Sequence, residues 1–92
     1  MLNMATQIIV NDEVRFRELS GESVLLNLSD QMYFSLNEVG TRFWQILKTT
    51  GDLDKIINQL QSEFRVESNQ LRRDIDQLIE ELQTNQLISI SK

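Results

Sequence analysis

The spacing of apolar residues changes once along this chain, at about Leu36. Between Val14 and Leu36 apolar residues recur at alternate positions, which is the pattern of strands with one buried face. Beyond Leu36 they recur every three or four residues, which is typical of amphipathic helices. The sequence therefore predicts an α+β fold in which a three-stranded antiparallel N-terminal sheet is followed by three helices.

Three short strands separated by polar turns are predicted in the first part. They cover VRFREL (14–19), SVLLNL (23–28) and QMYFSL (31–36). Strand alternation places the apolar side chains of each strand on one face. The groups are Val14 with Phe16, Val24 with Leu26 and Leu28, and Met32 with Phe34 and Leu36. The last group is predicted to lie on the inner face. Helices must cover the apolar face of so small a sheet. TQIIV (6–10) and LISIS (87–91) can each add a short strand or a docked segment.

The first helix is predicted to start at Asn37, whose side chain can cap free backbone N–H groups. Trp44 flanks its buried stripe, and packing in a corner of the core is favoured over contact with a partner. A second helix runs from Asp52 or Asp54 to about residue 64. The buried stripe of the first helix comprises Val39, Phe43, Ile46 and Leu47.

The third helix is predicted from about Glu67 or Ser68 to Thr84. Its core stripe comprises Leu71, Ile75, Leu78 and Leu82, with Ile79 at the stripe edge. Three strands followed by three helices, the last two joined by a short turn, form a winged helix-turn-helix-like order. Domains with this order bind either DNA or peptides, so two function classes follow.

Composition narrows these functions. The chain has 92 residues, no Cys and no His, so we expect one domain (1–92, core about 14–88) without a metal or other cofactor. The commonest catalytic bases and nucleophiles are missing and the carboxylates are dispersed, so we expect no enzyme. The net charge of −5 disfavours nucleic acid and anionic membranes as partners. Without an apolar span or an export signal, a cytoplasmic location is predicted.

The charge of the third helix separates the two function classes further. A DNA-binding helix enters the major groove and needs basic residues there. Residues 67–84 instead contain two arginines and five carboxylates, a net charge of −3. Winged-helix DNA binding is therefore the weaker alternative.

Two segments carry a resemblance to a known family. VLLNLSDQMYFSLNEVGTRFWQIL (24–47) resembles a segment of PqqD-like proteins, and FRVESNQLRRDIDQLIEELQTNQLI (64–88) resembles their closing segment. The Tyr-Phe-x-Leu-Asn-x-Val-Gly core, with Trp four residues after the Gly, is the more specific motif. The chain thus resembles PqqD-like recognition elements of ribosomally synthesised and post-translationally modified peptides (RiPPs). It is most similar to the stand-alone leader-binding proteins of lasso-peptide biosynthesis.

The resemblance implies a function and partners. Such a domain binds the leader of a ribosomally made precursor peptide and delivers it to a leader peptidase and an ATP-dependent macrocyclase. A disordered leader can add as a further strand to an open sheet edge. A PqqD-type peptide chaperone that serves a radical enzyme remains an alternative, as does a purely structural subunit.

The resemblance also places the leader along the third strand and beside the third helix. Because Tyr33 points away from its neighbours in the strand, not all strand candidates can contact one leader side chain. Arg72 and Asp76 could each pair with a leader charge or form a surface salt bridge with each other. The candidate peptide-binding residues are Met32, Tyr33, Phe34, Leu71, Arg72, Ile75, Asp76 and Ile79.

Two positions depart from the family pattern. The family commonly has Gly before its final Leu, whereas here Asn85 and Gln86 precede Leu87, so a left-handed helix stop must fall on Asn85 or be absent. Asn27 stands where Asp is frequent, which removes a charge near the second turn. Leader specificity could differ from that of the family for this reason.

Overall fold

The computed structural model describes residues 6–91, and within them the order of elements follows the prediction. β2, β3 and β4 form an antiparallel sheet in that order, and β1 pairs with β5 in a separate antiparallel sheet. The elements are β1 (Gln7–Val10), β2 (Val14–Leu19), β3 (Glu22–Asn27), β4 (Met32–Leu36), α1 (Glu38–Leu47), α2 (Leu53–Glu63), α3 (Ser68–Thr84) and β5 (Ile88–Ser91).

The predicted α+β order of three strands and three helices is confirmed, and the sheet is split. The two flanking segments are both strands, but they pair with each other instead of extending the three-stranded sheet. The likeness to a winged helix-turn-helix stays a prediction. The predicted domain limits include residues 1–5 and 92, which lie outside the described residues. Between residues 6 and 91, no helix is long and apolar enough to cross a bilayer.

On β3 the side chain in the core is Leu25, which lies outside the group of apolar residues that the sequence placed together. Leu25 is completely buried in the core, whereas Val24 and Leu26 lie on the outer face with Val24 37% exposed. Leu28, which the prediction grouped with them, lies beyond the end of β3 and is also exposed. The run Val24–Leu26 is apolar on both faces, so alternation alone could not decide which face is buried.

The polar neighbours of Leu25 on the inner face, Ser23 and Asn27, are buried and form hydrogen bonds. The Ser23 Oγ and Thr41 Oγ1 atoms lie 2.8 Å apart in a buried hydrogen bond between β3 and α1. Asn27 Oδ1 accepts a hydrogen bond from the backbone N–H of Ser29 at 2.9 Å and so closes the turn to β4. These bonds replace those that the hydroxyls and Asn27 Oδ1 lose to water, whereas Asn27 Nδ2 is buried without a hydrogen-bond partner among the described residues.

The three helices begin where the sequence predicted. Asn37 caps α1, Asp52 caps α2 and Glu67 caps α3, each by accepting hydrogen bonds from N–H groups of the first turn. The end of α3 differs from the expectation. Asn85 has φ −88°, and the left-handed residue is Gln86 with φ 62°. The left-handed residue that follows the helix therefore lies one position later than predicted, whereas α3 itself ends at Thr84 as predicted.

The core lies between the inner face of the three-stranded sheet and the helices. Phe43 and Trp44 are its largest fully buried residues, which confirms the packing role predicted for Trp44. On α3 the stripe differs from the prediction, because Ile79 is buried and Leu78 is only partly buried. With 3.6 residues per turn, the centre of the buried arc falls on the Ile75, Ile79 and Leu82 side, which leaves Leu78 at the edge.

Candidate peptide-binding groove

β4 is an edge strand. β3 pairs with it on one side, and no described strand pairs with it on the other. The turn before β4 is held by Gln31 in a left-handed conformation (φ 62°) and by the Asp30 carboxylate, whose Oδ1 accepts from Met32 N at 2.9 Å. Because β4 pairs only with β3 among the described strands, alternate N–H and C=O groups of Met32–Leu36 point away from the sheet. An extended peptide could pair with this row of donors and acceptors.

A groove of about 370 Å³ lies beside this free edge, between β4 and α3. Phe34 lines it from β4, Val39 from the start of α1 and Leu78 from α3, and all three are partly buried. Gly40 lies in the same wall, where a Cβ atom would come within 3.2 Å of the Leu36 side chain. The glycine therefore allows the start of α1 to pack closely against the end of β4.

The rim of the groove on the helix side is acidic. Asp74 and Glu81 are exposed and line the groove on either side of Leu78 along α3. Asp74 Oδ1 accepts a hydrogen bond from Gln70 Nε2 at 2.8 Å, which orients this carboxylate. The lining contains no Lys or Arg among the described residues. An apolar floor with a negative rim suits a peptide that has apolar side chains and a nearby cation.

The strand candidates from the sequence lie at this edge. Phe34 lines the groove. Tyr33 is 71% exposed and, paired with Leu26, lies on the outer face of the sheet. Met32 is 63% exposed, so its predicted inner-face position does not bury it. The structure therefore distributes the three residues over both sides of one accessible strand.

The helix candidates are less accessible than the strand candidates. Leu71, Ile75 and Ile79 are each 1% exposed, and of the three only Ile75 lines the groove. A peptide could touch Leu71 or Ile79 only if the core opened. Arg72 Nε lies 3.7 Å from Asp76 Oδ1, so these two side chains form an ion pair, and neither lines the groove. Their contact with a leader stays a prediction.

Sequence reasoning missed the helix residues that the groove exposes. Leu78 was assigned to the core, and Asp74, Gln77 and Glu81 were not singled out. The sequence feature that could have identified Leu78 is its position at the edge of the apolar stripe of α3. A residue at that edge contacts both the core and the solvent. Leu78 has an acidic residue four positions before it and another three positions after it, which places both on the same flank of α3.

Comparisons with known proteins agree with this architecture. The profile of the family described as coenzyme PQQ synthesis protein D (PqqD) matches residues 22–88. No curated protein sequence matches the chain. The match to the family profile includes β3, β4 and all three helices, and hence both walls of the groove.

Two solved structures share the fold. "TbiB1 in Complex with the TbiA(beta) Leader Peptide" has a TM-score of 0.81 and 27% sequence identity, over 88% of this chain and 94% of that one. "Lasso peptide synthetase B1 complexed with the leader peptide" has a TM-score of 0.77 and 24% identity, over 90% of this chain and 98% of that one. The second likeness supports the fold alone. The family profile matches most of the chain, which therefore belongs to the PqqD family.

Proposed function

We propose that this chain is a recognition element that binds the leader of a RiPP precursor in lasso-peptide biosynthesis. The observation that carries the proposal is the free edge of β4 beside an apolar groove. The family match supports it, as does the shared fold with TbiB1, whose structure holds a leader peptide. The groove provides an apolar surface on which a peptide can bind. Among the described residues, no group of His, Cys, Asp and Glu side chains is suited to hold a metal ion.

In the proposed binding mode the leader adds to β4 as an antiparallel strand. Its alternate side chains enter the groove between Phe34 and Leu78, and the side chains between them lie on the outer side near Tyr33. Fixing the backbone of each leader residue costs about 1–2 kcal/mol of conformational entropy. One backbone hydrogen bond to β4 contributes a net free energy of roughly the same size, so the two nearly cancel. The strand pairing therefore aligns the leader, and the apolar contacts in the groove supply most of the net affinity.

Delivery to enzymes is the second part of the proposal. A bound leader keeps the rest of the precursor close to any enzyme that contacts this chain, which raises its effective concentration. The expected enzymes are a leader peptidase and a macrocyclase. The family match also supports a PqqD-type peptide chaperone for a radical enzyme as the alternative. The identity of the enzymes encoded beside this chain separates the two.

Fluorescence polarisation with a labelled leader tests the proposal. The leader of the precursor encoded beside this chain should bind saturably, in the sub-micromolar to micromolar range, since binding is coupled to ordering of the leader. A scrambled leader of identical composition is the matched control and should bind at least about tenfold more weakly, because the order of its groove-facing residues is lost. Equal binding of both peptides, or no saturable binding of either, would refute the proposed function.

A further inference from the structure

β2 is the second free edge of the three-stranded sheet. β3 pairs with it on one side, and no described strand pairs with it on the other. A groove of about 730 Å³ lies beside this edge, between β2, β1 and the C-terminal end of α1. Its walls include Val14 and Phe16 from β2 and Trp44 from α1. This β2 groove shares no lining residue with the groove beside β4.

The β2 groove is mainly cationic, whereas the groove beside β4 is acidic. Its charged lining residues are Arg15, Lys48 and Asp12, hence two cations and one carboxylate. Arg15 Nη1 donates to the carbonyl oxygens of Asp12 and Val14, at 3.0 and 3.3 Å, which holds the guanidinium at the start of β2. Among the described residues, Lys48 forms no ion pair. The β2 groove is therefore complementary to a ligand that carries carboxylates.

Trp44 adds an unsatisfied donor to the wall of the β2 groove. It is 1% exposed, and its Nε1 has no hydrogen-bond partner among the described residues. A buried N–H group without a partner costs free energy, so an acceptor oxygen that reaches it stabilises the complex. A peptide carries such an oxygen at every residue, and its backbone can also pair with the free edge of β2. The ligand class is therefore an extended peptide with acidic and apolar side chains.

A second copy of the chain fits the β2 edge poorly. In a symmetric antiparallel pair of two β2 strands, residues on the same face of the sheet lie opposite each other. Arg15 and Arg17 share one face of β2, so the arginines of one copy would lie opposite those of its partner. Like charges directly opposite each other on paired strands are destabilising. The peptide therefore belongs to a different molecule.

The end of the sheet at which a bound leader leaves β4 indicates which molecule this is. A leader antiparallel to β4 runs from the Leu36 end to the Met32 end. Met32 pairs with Asn27, which pairs with Val14, so the leader leaves β4 at the level where β2 begins. Strands added outside β4 and outside β2 would be four strand spacings apart, about 19 Å. At about 3.3 Å per residue, a linker of at least about six residues of the same precursor spans this distance.

We infer that the β2 groove binds a second, acidic segment of the precursor while the leader occupies β4. The inference rests on the proposed leader-binding function and deepens it, because recognition becomes bivalent. A tethered segment is held at a local concentration of about millimolar, so it strengthens binding even where its own affinity is weak. The segment should lie at least about six residues C-terminal to the residues on β4 and carry Asp or Glu next to apolar residues.

The test compares three peptides from the precursor encoded beside this chain, each with any Trp replaced by Phe. A short peptide ends after the residues bound to β4, and a long peptide continues through the acidic segment. The control has the length of the long peptide, with Asn or Gln in place of Asp and Glu in that segment. Fluorescence polarisation should show the long peptide binding at least about fivefold more tightly than the short peptide and the control.

Trp44 reports directly on the β2 groove. It is the only Trp in the chain, and it lines the β2 groove and not the groove beside β4. Its fluorescence emission should shift when the long peptide binds and stay unchanged when the short peptide binds.

A pair of lysine variants separates the two grooves. Lys48→Glu should remove the affinity gain of the long peptide, because it reverses a charge in the β2 groove. Lys55→Glu makes the same change at another exposed lysine, one that lines neither groove, and should keep the gain. Both variants should bind the short peptide within about twofold of wild type, which also shows that they are folded.

Several results would overturn the inference and leave the proposed function intact. They are equal affinities of the short and long peptides, an equal gain with the control peptide, a gain that survives Lys48→Glu, and a precursor without an acidic segment at the stated distance. Self-association of the wild type that Lys48→Glu abolishes would make a second copy the occupant. Peptidase binding without precursor that Lys48→Glu abolishes would make a segment of the peptidase the occupant. A wild type that binds neither peptide would instead refute the proposed function.

Discussion

The two flanks of α3 carry apolar residues for different reasons. On one flank Leu71, Ile75 and Ile79 are each 1% exposed and hold the helix in the core. On the other flank Leu78 is partly buried, and it lines the groove together with the acidic residues Asp74 and Glu81. The difference shows that the periodicity of apolar residues identifies the side chains that pack a helix into the core. A binding residue lies at the edge of the stripe, where an apolar side chain has charged neighbours.

The largest expected effect is on the core flank. Ile79→Asp should unfold the domain or destabilise it by at least about 3 kcal/mol, because it removes packing and buries an unpaired carboxylate. Circular dichroism melts and urea titration measure this loss. Phe43→Ala, which removes another fully buried side chain, should cost about 3–5 kcal/mol. A stable Ile79→Asp variant that loses only leader affinity would place Ile79 in the groove and undo the distinction between the flanks.

The groove flank should respond in the opposite way. Leu78→Asp should keep the fold and weaken leader binding at least about tenfold, since it replaces an apolar contact with a carboxylate that must lose water. Ile57→Asp is the matched control, because Ile57 is a partly buried helix residue that does not line the groove. Polarisation assays and melts on both variants separate affinity from stability. Equal leader affinity of the Leu78 and Ile57 variants would remove Leu78 from the binding surface.

The acidic rim should contribute less than Leu78. Asp74→Asn/Glu81→Gln should weaken binding of a leader with a Lys or Arg near its groove-facing residues by about two- to fivefold, as expected for exposed charge pairs. Wild-type affinity should fall as salt rises, whereas the affinity of the double variant should change less. Binding that strengthens when the two carboxylates are neutralised would mean that the leader presents a negative charge to this rim.

The smallest effect concerns an ion pair away from the groove. Arg42 Nε lies 2.7 Å from Glu63 Oε1, and Arg42 Nη2 lies 2.9 Å from Glu63 Oε2. Hydrogen bonds from Arg42, and secondarily from Gln59, lower the pKa of Glu63 to about 2. Because its pKa is lower in the folded state, this carboxylate adds stability above its ordinary pKa, and the contribution is lost as pH falls towards 2.

Glu63→Gln should therefore flatten the acid side of the stability profile, between the ordinary pKa of a glutamate and about pH 2. The pair joins α1 to the end of α2 at the surface, so its effect on stability is small and its effect on leader affinity should be absent. Urea titrations at a series of pH values measure the profile. An unchanged acid slope in the variant would show that the ion pair adds no pH-dependent stability.

Local patterns in the sequence predicted most of the fold. The sequence predicted helix starts at Asn37, at Asp52 or Asp54, and at Glu67 or Ser68, and the structure has capping side chains at Asn37, Asp52 and Glu67. The faces of β3 were not predictable, because consecutive apolar residues satisfy both faces of a strand. Which polar residues are buried depends on partners distant in sequence, such as Thr41 for Ser23.

The candidate site was predictable only in part. The free edge of β4 follows from strand order, so the strand candidates around Phe34 lie where a peptide could reach them. The accessible flank of α3 depends on how the helix is rotated against the sheet, and a rotation of about one residue exchanges Leu78 with Ile79.

Amide hydrogen exchange of Met32–Leu36, with and without leader, tests the central claim most directly. If the leader adds as a strand to β4, alternate amides of this segment should exchange more slowly, by up to about a hundredfold at a leader concentration of 100 Kd. The amides of β1, in the other sheet, serve as the internal control and should change little. A leader that binds saturably while every β4 amide exchanges at its original rate would contradict strand addition at this edge.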